Sequence, residues 1–255
     1  LSLYQRLARG SAHYANITRH APDWQRTTQA IGGYMTGGFT AQHLTRDEMT
    51  NWFDRYLGCR IVETTFGLPS WEGMIYEMRL VLDGVEYTRT LSPEWWHNRV
   101  WVVYSSGVGS RAETATSENT DSSDEFGEMN YLVSLGGATS AGATAVRDRH
   151  LKEFAWPRSR MTGTIGLGGA TTSRDNSLEI SCAGYWASLN WRYYTSALGA
   201  ASADSHINTL VAASEFVTAG RVETNALSTS FSVSTAARIG DMIADVIAQG
   251  DASGN

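Results

Sequence analysis

The alternation of apolar and polar residues predicts β-structure over most of the chain. The clearest strand runs over 71–82, where every second residue from Met74 to Leu82 is apolar. Asp83-Gly84 follows it, which is the dipeptide that type I′ hairpin turns favour, and 85–91 then predicts the returning strand. Similar patterns predict seven further strands: 60–66, 98–105, 129–135, 161–167, 178–182, 185–194 and 221–227.

Helical spacing of apolar residues predicts four helices, of which 46–57 has the strongest signals. Thr45 is a favourable N-cap, Glu48 completes a capping box, and Gly58 ends the helix. Its apolar face consists of Met49, Trp52, Phe53 and Tyr56. The other three helices are predicted over 140–154, from Ser202 onward, and from Ser234 or Thr235 onward.

This order of elements, with hairpins in place of repeated βαβ units, predicts an α+β fold. We expect mainly antiparallel β-structure, barrel-like or sandwich-like, with about four helices packed on the sheets. The predicted domains are a β-rich one over 1–157, which carries helices 46–57 and 140–154, and an α+β one over 158–255. No closing strand follows the last predicted helix, so we expect the native polypeptide to continue past Asn255.

Two stretches are rich in residues that favour turns and loops. Glycines recur over 31–39, which predicts a bent strand or turn where another part of the chain approaches the backbone closely. The segment 105–125 is rich in Ser, Thr, Gly and acidic residues and predicts an exposed loop. Its acids Asp121, Asp124 and Glu125 are weak candidates for a Ca²⁺ site, because the EF-hand spacing is absent.

The composition excludes several classes of function. Charged residues make up only 18% of the chain and the net charge is −6, which argues against recognition of a nucleic-acid sequence. No apolar run is long enough to span a bilayer. Lys152 is the only lysine, so arginine, which suits protein interfaces, supplies nearly all of the cations. Cys59 and Cys182 are expected to be buried apolar side chains.

No catalytic motif is present: the chain has no HExxH, no GxSxG, no Walker loop and no dinucleotide-binding fingerprint. We therefore predict a non-enzymatic protein. A glycan hydrolase stays open, because its paired carboxylates can come from anywhere in the sequence. Glu72, in an aromatic strand, is one such candidate, and its alternative role is a solvent-facing residue of that strand.

The nine tryptophans have two interpretations. Large aromatic side chains fill cores and protein interfaces, and their even spread along the chain favours this role. An exposed platform for sugar rings is the alternative. Trp95 and Trp96, in a loop after Pro93, are the pair expected to be exposed, and they are the candidates for an interface or a glycan site.

Several stretches together resemble tail proteins of tailed bacteriophages. The order is DWQRTTQAIGGYMTGGF, WFDRYLG, WEGMIYEMRLVLDG, NRVWVVY, SSDEFGEMNYLV and AVRDRHLKEFAWP. The most recognisable parts are an S-x-x-x-[YF]-G element at Ser122–Gly127 and an A-x-x-x-R-D-x-x-L helix at Ala143–Leu151. Phe126 stands where the pattern expects tyrosine.

The resemblance implies a β-rich tail-tip component of the hub or baseplate type, without a cofactor. Such a protein is a structural part of the virion tail, assembled in the host cytoplasm. It forms a ring of its own copies, threefold or sixfold, and joins neighbouring tail-tube and tail-tip proteins. The alternative function is a carbohydrate-binding protein or glycan hydrolase that uses exposed tryptophans.

Overall fold

The computed structural model describes the chain in two compact units, Leu1–Gly184 and Tyr185–Asn255. The fold is α+β with mostly antiparallel strands, as predicted. The described residues are 1–10, 12–29, 33–92, 94–107, 110–162, 176–196, 198–217, 228–231 and 237–249.

The first unit contains thirteen of the described strands and three helices. The strands are β1 (Ser2–Arg6), β2 (His13–Asn16), β3 (Gln25–Gln29), β4 (Gly33–Ala41), β5 (Cys59–Thr65), β6 (Leu68–Leu82), β7 (Val85–Thr90), β8 (Arg99–Gly107), β9 (Ser110–Glu113), β10 (Ser117–Glu118), β11 (Asn130–Gly137), β12 (Arg160–Thr162) and β13 (Ser177–Ala183). The helices are α1 (Arg46–Arg55), α2 (Thr120–Phe126) and α3 (Ser140–Phe154). Single 3₁₀ turns lie at Leu7–Arg9 and Thr18–His20.

The larger sheet has nine antiparallel strands and is organised around β6. Its order is β2-β1-β5-β6-β13-β4-β3, and β7 and β12 continue from β6 on a separate branch. One edge of β6 pairs first with β5 and then with β7, while the other edge pairs with β13. This sheet curls into a half-barrel.

A bulge in β6 lies where its partner changes from β5 to β7. Ser181 pairs with Glu77 and the next residue, Cys182, pairs with Ile75, so Tyr76 is the extra residue. The prediction that Met74 and Tyr76 share a face with Met78 and Leu80 is therefore wrong, because the bulge reverses the alternation. The buried face carries Trp71, Ile75, Met78 and Leu80.

The strongest local signals are confirmed. Asp83 and Gly84 both have positive φ, at 51° and 81°, as a type I′ turn requires. Thr45 Oγ1 accepts the Glu48 N–H at 3.3 Å. The Glu48 carboxylate accepts the Thr45 N–H at 2.7 Å and the Thr45 hydroxyl at 2.9 Å, and these two hydrogen bonds lower the Glu48 pKa. Gly37 lies in β4 where an added Cβ would come within 2.5 Å of the Trp24 ring, which is the close approach that the glycines predicted.

The segment 105–125 was predicted as an exposed loop, and this is wrong. It contains the end of β8, the short strands β9 and β10, and most of α2, which buries Ser122 and Ser123. Both short strands pair antiparallel with β8, whereas β11 pairs parallel with it. Helix α3 packs on this second sheet through Ala143, against Val102 and Tyr104.

A buried amide orders that segment. The side chain of Asn98, which has no exposed surface, donates to the Gly127 carbonyl at 2.8 Å and accepts the Met129 N–H at 2.8 Å. It also donates to Ser122 Oγ at 3.3 Å, and Ser122 Oγ donates to the Ala155 carbonyl. Asn98 and Ser122 together thus connect the start of β8, helix α2 and the turn after α3. Buried polar groups with all their partners in place specify a single arrangement of the backbone.

The second unit is an α+β assembly with its own core. It comprises a 3₁₀ helix at Tyr185–Trp191, strands β14 (Tyr193–Tyr194), β15 (Leu198–Ser202), β16 (Ser228–Phe231) and β17 (Ala237–Arg238), and helices α4 (Ala203–Ala212) and α5 (Ile239–Gln249). Its core includes Leu189 from the 3₁₀ helix, Leu210 from α4 and Val246 from α5.

Two predictions about the C-terminal part change, and others lie outside the described residues. The strand predicted over 185–194 is mostly 3₁₀ helix. The boundary predicted between 157 and 158 moves to 184/185, because β12 and β13 both pair with strands of the first unit. The predicted strand 221–227 and the helix start at 234 or 235 lie outside the described residues, as does most of the strand predicted over 161–167. No helix within the described ranges is long and apolar enough to cross a membrane.

We expect Asn98→Ala to lower the free energy of unfolding by about 2–4 kcal/mol, because it leaves the buried Met129 N–H and Gly127 carbonyl without that partner. Chemical denaturation followed by tryptophan fluorescence measures the change. The control is Asn51→Ala on the exposed face of α1, which we expect to change stability by less than about 0.5 kcal/mol. Equal effects of the two substitutions would contradict the role given to Asn98.

The two cysteines are free and buried, as predicted. Burial raises the pKa of Cys59 to about 11, and it also raises the pKa of Cys182. Because the thiolate is the reactive form, we expect neither to react with iodoacetamide at pH 8 in the folded protein and both to react after unfolding. Intact-protein mass spectrometry measures this, and rapid alkylation of the folded protein would contradict the burial.

Candidate functional site

The predicted tryptophan pair is divided between the core and the surface. Trp96 has no exposed surface, its indole N–H donates to the Ala155 carbonyl at 3.2 Å, and its ring packs edge-on against Phe126. The prediction that Trp96 is exposed for an interface or a glycan is wrong, because the Asn98 network surrounds it with core. The local sequence gave no indication that Ala155, 59 residues away, is its partner.

Trp95 is exposed over 37% of its surface. The guanidinium of Arg160 lies over its ring, 3.5 Å from the ring centroid. This cation–π contact covers one face of the indole. Trp95 therefore offers a single partly covered ring, which is much less than the platform of two rings that the sequence suggested.

The three candidate Ca²⁺ ligands do not converge. Glu125 is held by Arg6 and Arg9, while Asp121 and Asp124 are exposed. Within the described residues, no three His, Cys, Asp or Glu side chains are grouped so that they could hold a metal ion. Glu125 instead joins α2 to the first strand through arginine.

Glu72 forms an ion pair across two paired strands. Its Oε1 lies 2.9 Å from Nε of Arg60, and both side chains are about three-quarters buried. Val62, opposite Glu72 in the ladder, belongs to the same strand β5 as Arg60. The ion pair gives Glu72 a structural role between β5 and β6, and neither the solvent-facing position nor the catalytic role expected from the sequence is seen.

The most exposed apolar group in the described structure is the tip of the β5–β6 hairpin. Phe66 is fully exposed at 102% and Leu68 at 71%. All six residues of 64–69 are exposed, so the end of the hairpin projects from the sheet. Soluble proteins show single exposed apolar residues often, but two large ones on a projecting turn form a patch typical of contact sites.

The base of this hairpin is rigidly held. Trp71 is fully buried and packs edge-on against Trp24 at 5.2 Å. From β3, the guanidinium of Arg26 forms an ion pair with Glu63 at 2.6 Å and donates to the Ser70 carbonyl at 3.0 Å. The exposed tip is therefore an extension of a well-packed sheet and is held in a defined position.

The turn at the tip is strained. Phe66 and Gly67 are its two central residues, with φ of 52° and 80°, and Thr65 pairs with Leu68 on either side. A left-handed conformation costs a residue with a bulky side chain about 1–2 kcal/mol. The hairpin at the other end of β6 has the favoured dipeptide, Asp-Gly, in the same type of turn. Phe66 thus occupies a position where Asp or Asn would be less strained.

An aromatic residue at this position favours neither the turn nor the solubility of the isolated chain. The sequence pattern predicted Phe66 as the last residue of a strand, because phenylalanine has a high β propensity and Phe-Gly is a weak turn signal. The signal that could have revealed the tip is the pair of breakers Gly67 and Pro69 around one leucine, directly after a strand.

Comparison with known proteins gives no relative: no protein-family model, curated protein or solved structure matches the chain.

Proposed function

We propose that the chain is a structural, non-catalytic subunit of a tailed-phage tail tip, of the hub or baseplate type, and that the β5–β6 hairpin tip docks it to a neighbouring subunit. The exposed, strained Phe66 carries the docking part of this proposal. The sequence resemblance supports the assembly in which we place it.

The energetics of the tip favour docking. Moving an exposed Phe or Leu side chain into an apolar pocket stabilises a complex by about 1.5–3 kcal/mol each. In the free chain these side chains meet water, and Phe66 also bears the cost of its backbone conformation. Phe66 does not stabilise the isolated fold, and it would lower the free energy only when another surface buries its ring.

We infer that a different surface of the neighbouring copy receives the tip, so that the contact is head-to-tail. Head-to-tail contacts between identical subunits form a ring when the rotation from one subunit to the next closes, and an open filament when it does not. We therefore place the chain in a ring of its own copies, in contact with tail-tube and tail-tip proteins, in a virion tail assembled in the host cytoplasm.

Phe66→Asn should separate folding from assembly. Asparagine adopts positive φ readily, and Asn-Gly is the favoured type I′ dipeptide, so we expect the free energy of unfolding of the subunit to rise by about 0.5–1.5 kcal/mol. We expect the oligomer to dissociate at the same time, since the apolar contact is lost. Chemical denaturation of the dilute subunit measures the first effect and mass photometry over a concentration series measures the second.

The matched control is Asp83→Asn, which changes the corresponding position of the other type I′ turn of β6. It also removes an exposed ion pair with Arg46, which contributes little. We expect the control to assemble like the parent chain. A parent that stays monomeric at high concentration, or a Phe66→Asn variant that assembles normally, contradicts the docking role.

The placement in a virion has its own test. Particles of a phage that encodes this chain should contain it in the tail fraction by mass spectrometry, and electron microscopy should show threefold or sixfold symmetry at its position. Absence of the chain from purified particles would overturn the tail-tip proposal while leaving the docking tip to be judged by the variant above.

A further inference from the structure

A cleft lined by aromatic rings lies between α1 and the first two strands. Tyr14 of β2 lies 6.2 Å from Tyr56, the C-cap of α1, and Tyr56 lies 5.3 Å from Trp52, measured between ring centroids. Two open cavities share Tyr56 in their lining, with volumes of about 700 Å³ and about 560 Å³. We call these two cavities together the Tyr56 cleft. Each of them is larger than a phenylalanine side chain.

The larger cavity of the Tyr56 cleft is partly lined by apolar side chains. They are Leu3 of β1, Ile17 and Trp52 of α1, and each is at least nine-tenths buried within the fold. An apolar side chain that enters this cavity would complete their packing and remove their remaining contact with water. Tyr14, which lines the smaller cavity, is 51% exposed and offers a large apolar ring.

The charges around the Tyr56 cleft do not favour a charged ligand of either sign. Three arginines line it, and they are Arg6, Arg19 and Arg55. Arg6 forms an ion pair with Glu125, the carboxylate of Glu48 interacts electrostatically with Arg19, and Asp54 adjoins Arg55. Neither sign of charge dominates among these described residues. The Tyr56 cleft therefore favours an uncharged occupant, which loses no ionic hydration on entry.

The tip of the β5–β6 hairpin has the properties of such an occupant. Residues 64–69, Thr-Thr-Phe-Gly-Leu-Pro, carry no charged side chain. Phe66 is 102% exposed and Leu68 is 71% exposed, so two large apolar side chains project together. Aromatic rings also pack favourably edge-to-face, which suits the approach of Phe66 to Trp52 and Tyr56. Two apolar side chains on one tip thus match two cavities that share one wall.

The tip and the Tyr56 cleft of one chain lie too far apart to meet. Tyr56 precedes β5 by three residues, and Phe66 directly follows the last residue of that strand. The seven residues of β5 span about 20 Å at the rise of an extended strand. The base of the hairpin is held by the buried Trp71, so the tip does not fold back. A tip that fills the Tyr56 cleft therefore belongs to another copy.

We propose that the Tyr56 cleft is the surface that receives the hairpin tip of the neighbouring copy. Phe66 enters the larger cavity beside Trp52, and Leu68 covers the ring of Tyr14. This inference rests on the proposed docking role of the tip and names its partner surface. Each copy has one tip and one Tyr56 cleft, and these are different surfaces, so the contact is head-to-tail and permits a ring.

The first test changes the Tyr56 cleft and leaves the tip intact. Tyr14 lies half-exposed in an edge strand, so Tyr14→Glu should keep the fold, which thermal unfolding checks. We expect this variant to raise the Kd of self-association at least about tenfold in mass photometry over a concentration series. The matched control is Trp95→Glu, the same change at an exposed aromatic residue outside the Tyr56 cleft, which should assemble like the parent chain. Normal assembly of folded Tyr14→Glu overturns the inference.

The second test asks whether the tip and the Tyr56 cleft are the two halves of one contact. Phe66→Asn retains an intact cleft, and Tyr14→Glu retains an intact tip. Each variant alone should stay monomeric, whereas an equimolar mixture should form a dimer with one chain of each kind. This dimer should not grow, because its remaining tip and its remaining cleft are both altered. Native mass spectrometry distinguishes the two chains by mass.

The outcomes separate this inference from the docking role of the tip. If Phe66→Asn is monomeric but the mixture forms no dimer, the tip docks on another surface and the Tyr56 cleft is not its receptor. If Phe66→Asn assembles like the parent chain, the docking role itself fails, and the inference fails with it.

Discussion

The pairing of β6 with three other strands is the constraint on which the first unit depends. A strand normally directs successive carbonyls to opposite edges, yet the carbonyls of Ile75 and Tyr76 accept from Gly58 and Leu91, which lie at the ends of the two strands on one edge. The extra residue at Tyr76 allows this arrangement. It lets β5 and β7 share one edge of β6, and it divides the sheet there into a branch that continues through β5 to β1 and β2 and a branch that continues through β7 to β12.

Local signals predicted the local elements well. The capping box at Thr45, the Asp-Gly turn and the helix over 140–154 each depend on a few neighbouring residues, and each is present in the structure. The bulge was not predictable from the alternation, because apolar residues occupy both phases of β6 around it. Strand order and the parallel pairing of β8 with β11 depend on contacts between distant residues, for which a single sequence carries no signal.

The errors in the candidate sites also arise from contacts between residues that are distant in the sequence. Composition predicted a loop over 105–125, since Ser, Thr and acidic residues favour solvent. Asn98, however, forms buried hydrogen bonds with helix α2 at the end of this segment, and they stabilise its regular structure. The same network buries Trp96. The Phe66 tip was missed because exposure is a property of the fold. A phenylalanine in water and a phenylalanine in a core look identical in a sequence.

The length and continuity of β6 have a mechanical consequence. Its fifteen residues connect Phe66 at one end of the first unit to the Asp-Gly turn at the other, a span of about 50 Å at the rise per residue of an extended strand. A pull on the tip along this strand loads the hydrogen bonds to β5, β13 and β7 together, in shear, so none opens alone. A subunit held by its hairpin could thus carry tension through a single strand, and the bulge at Tyr76 is the point where such a load passes from one set of neighbours to the next.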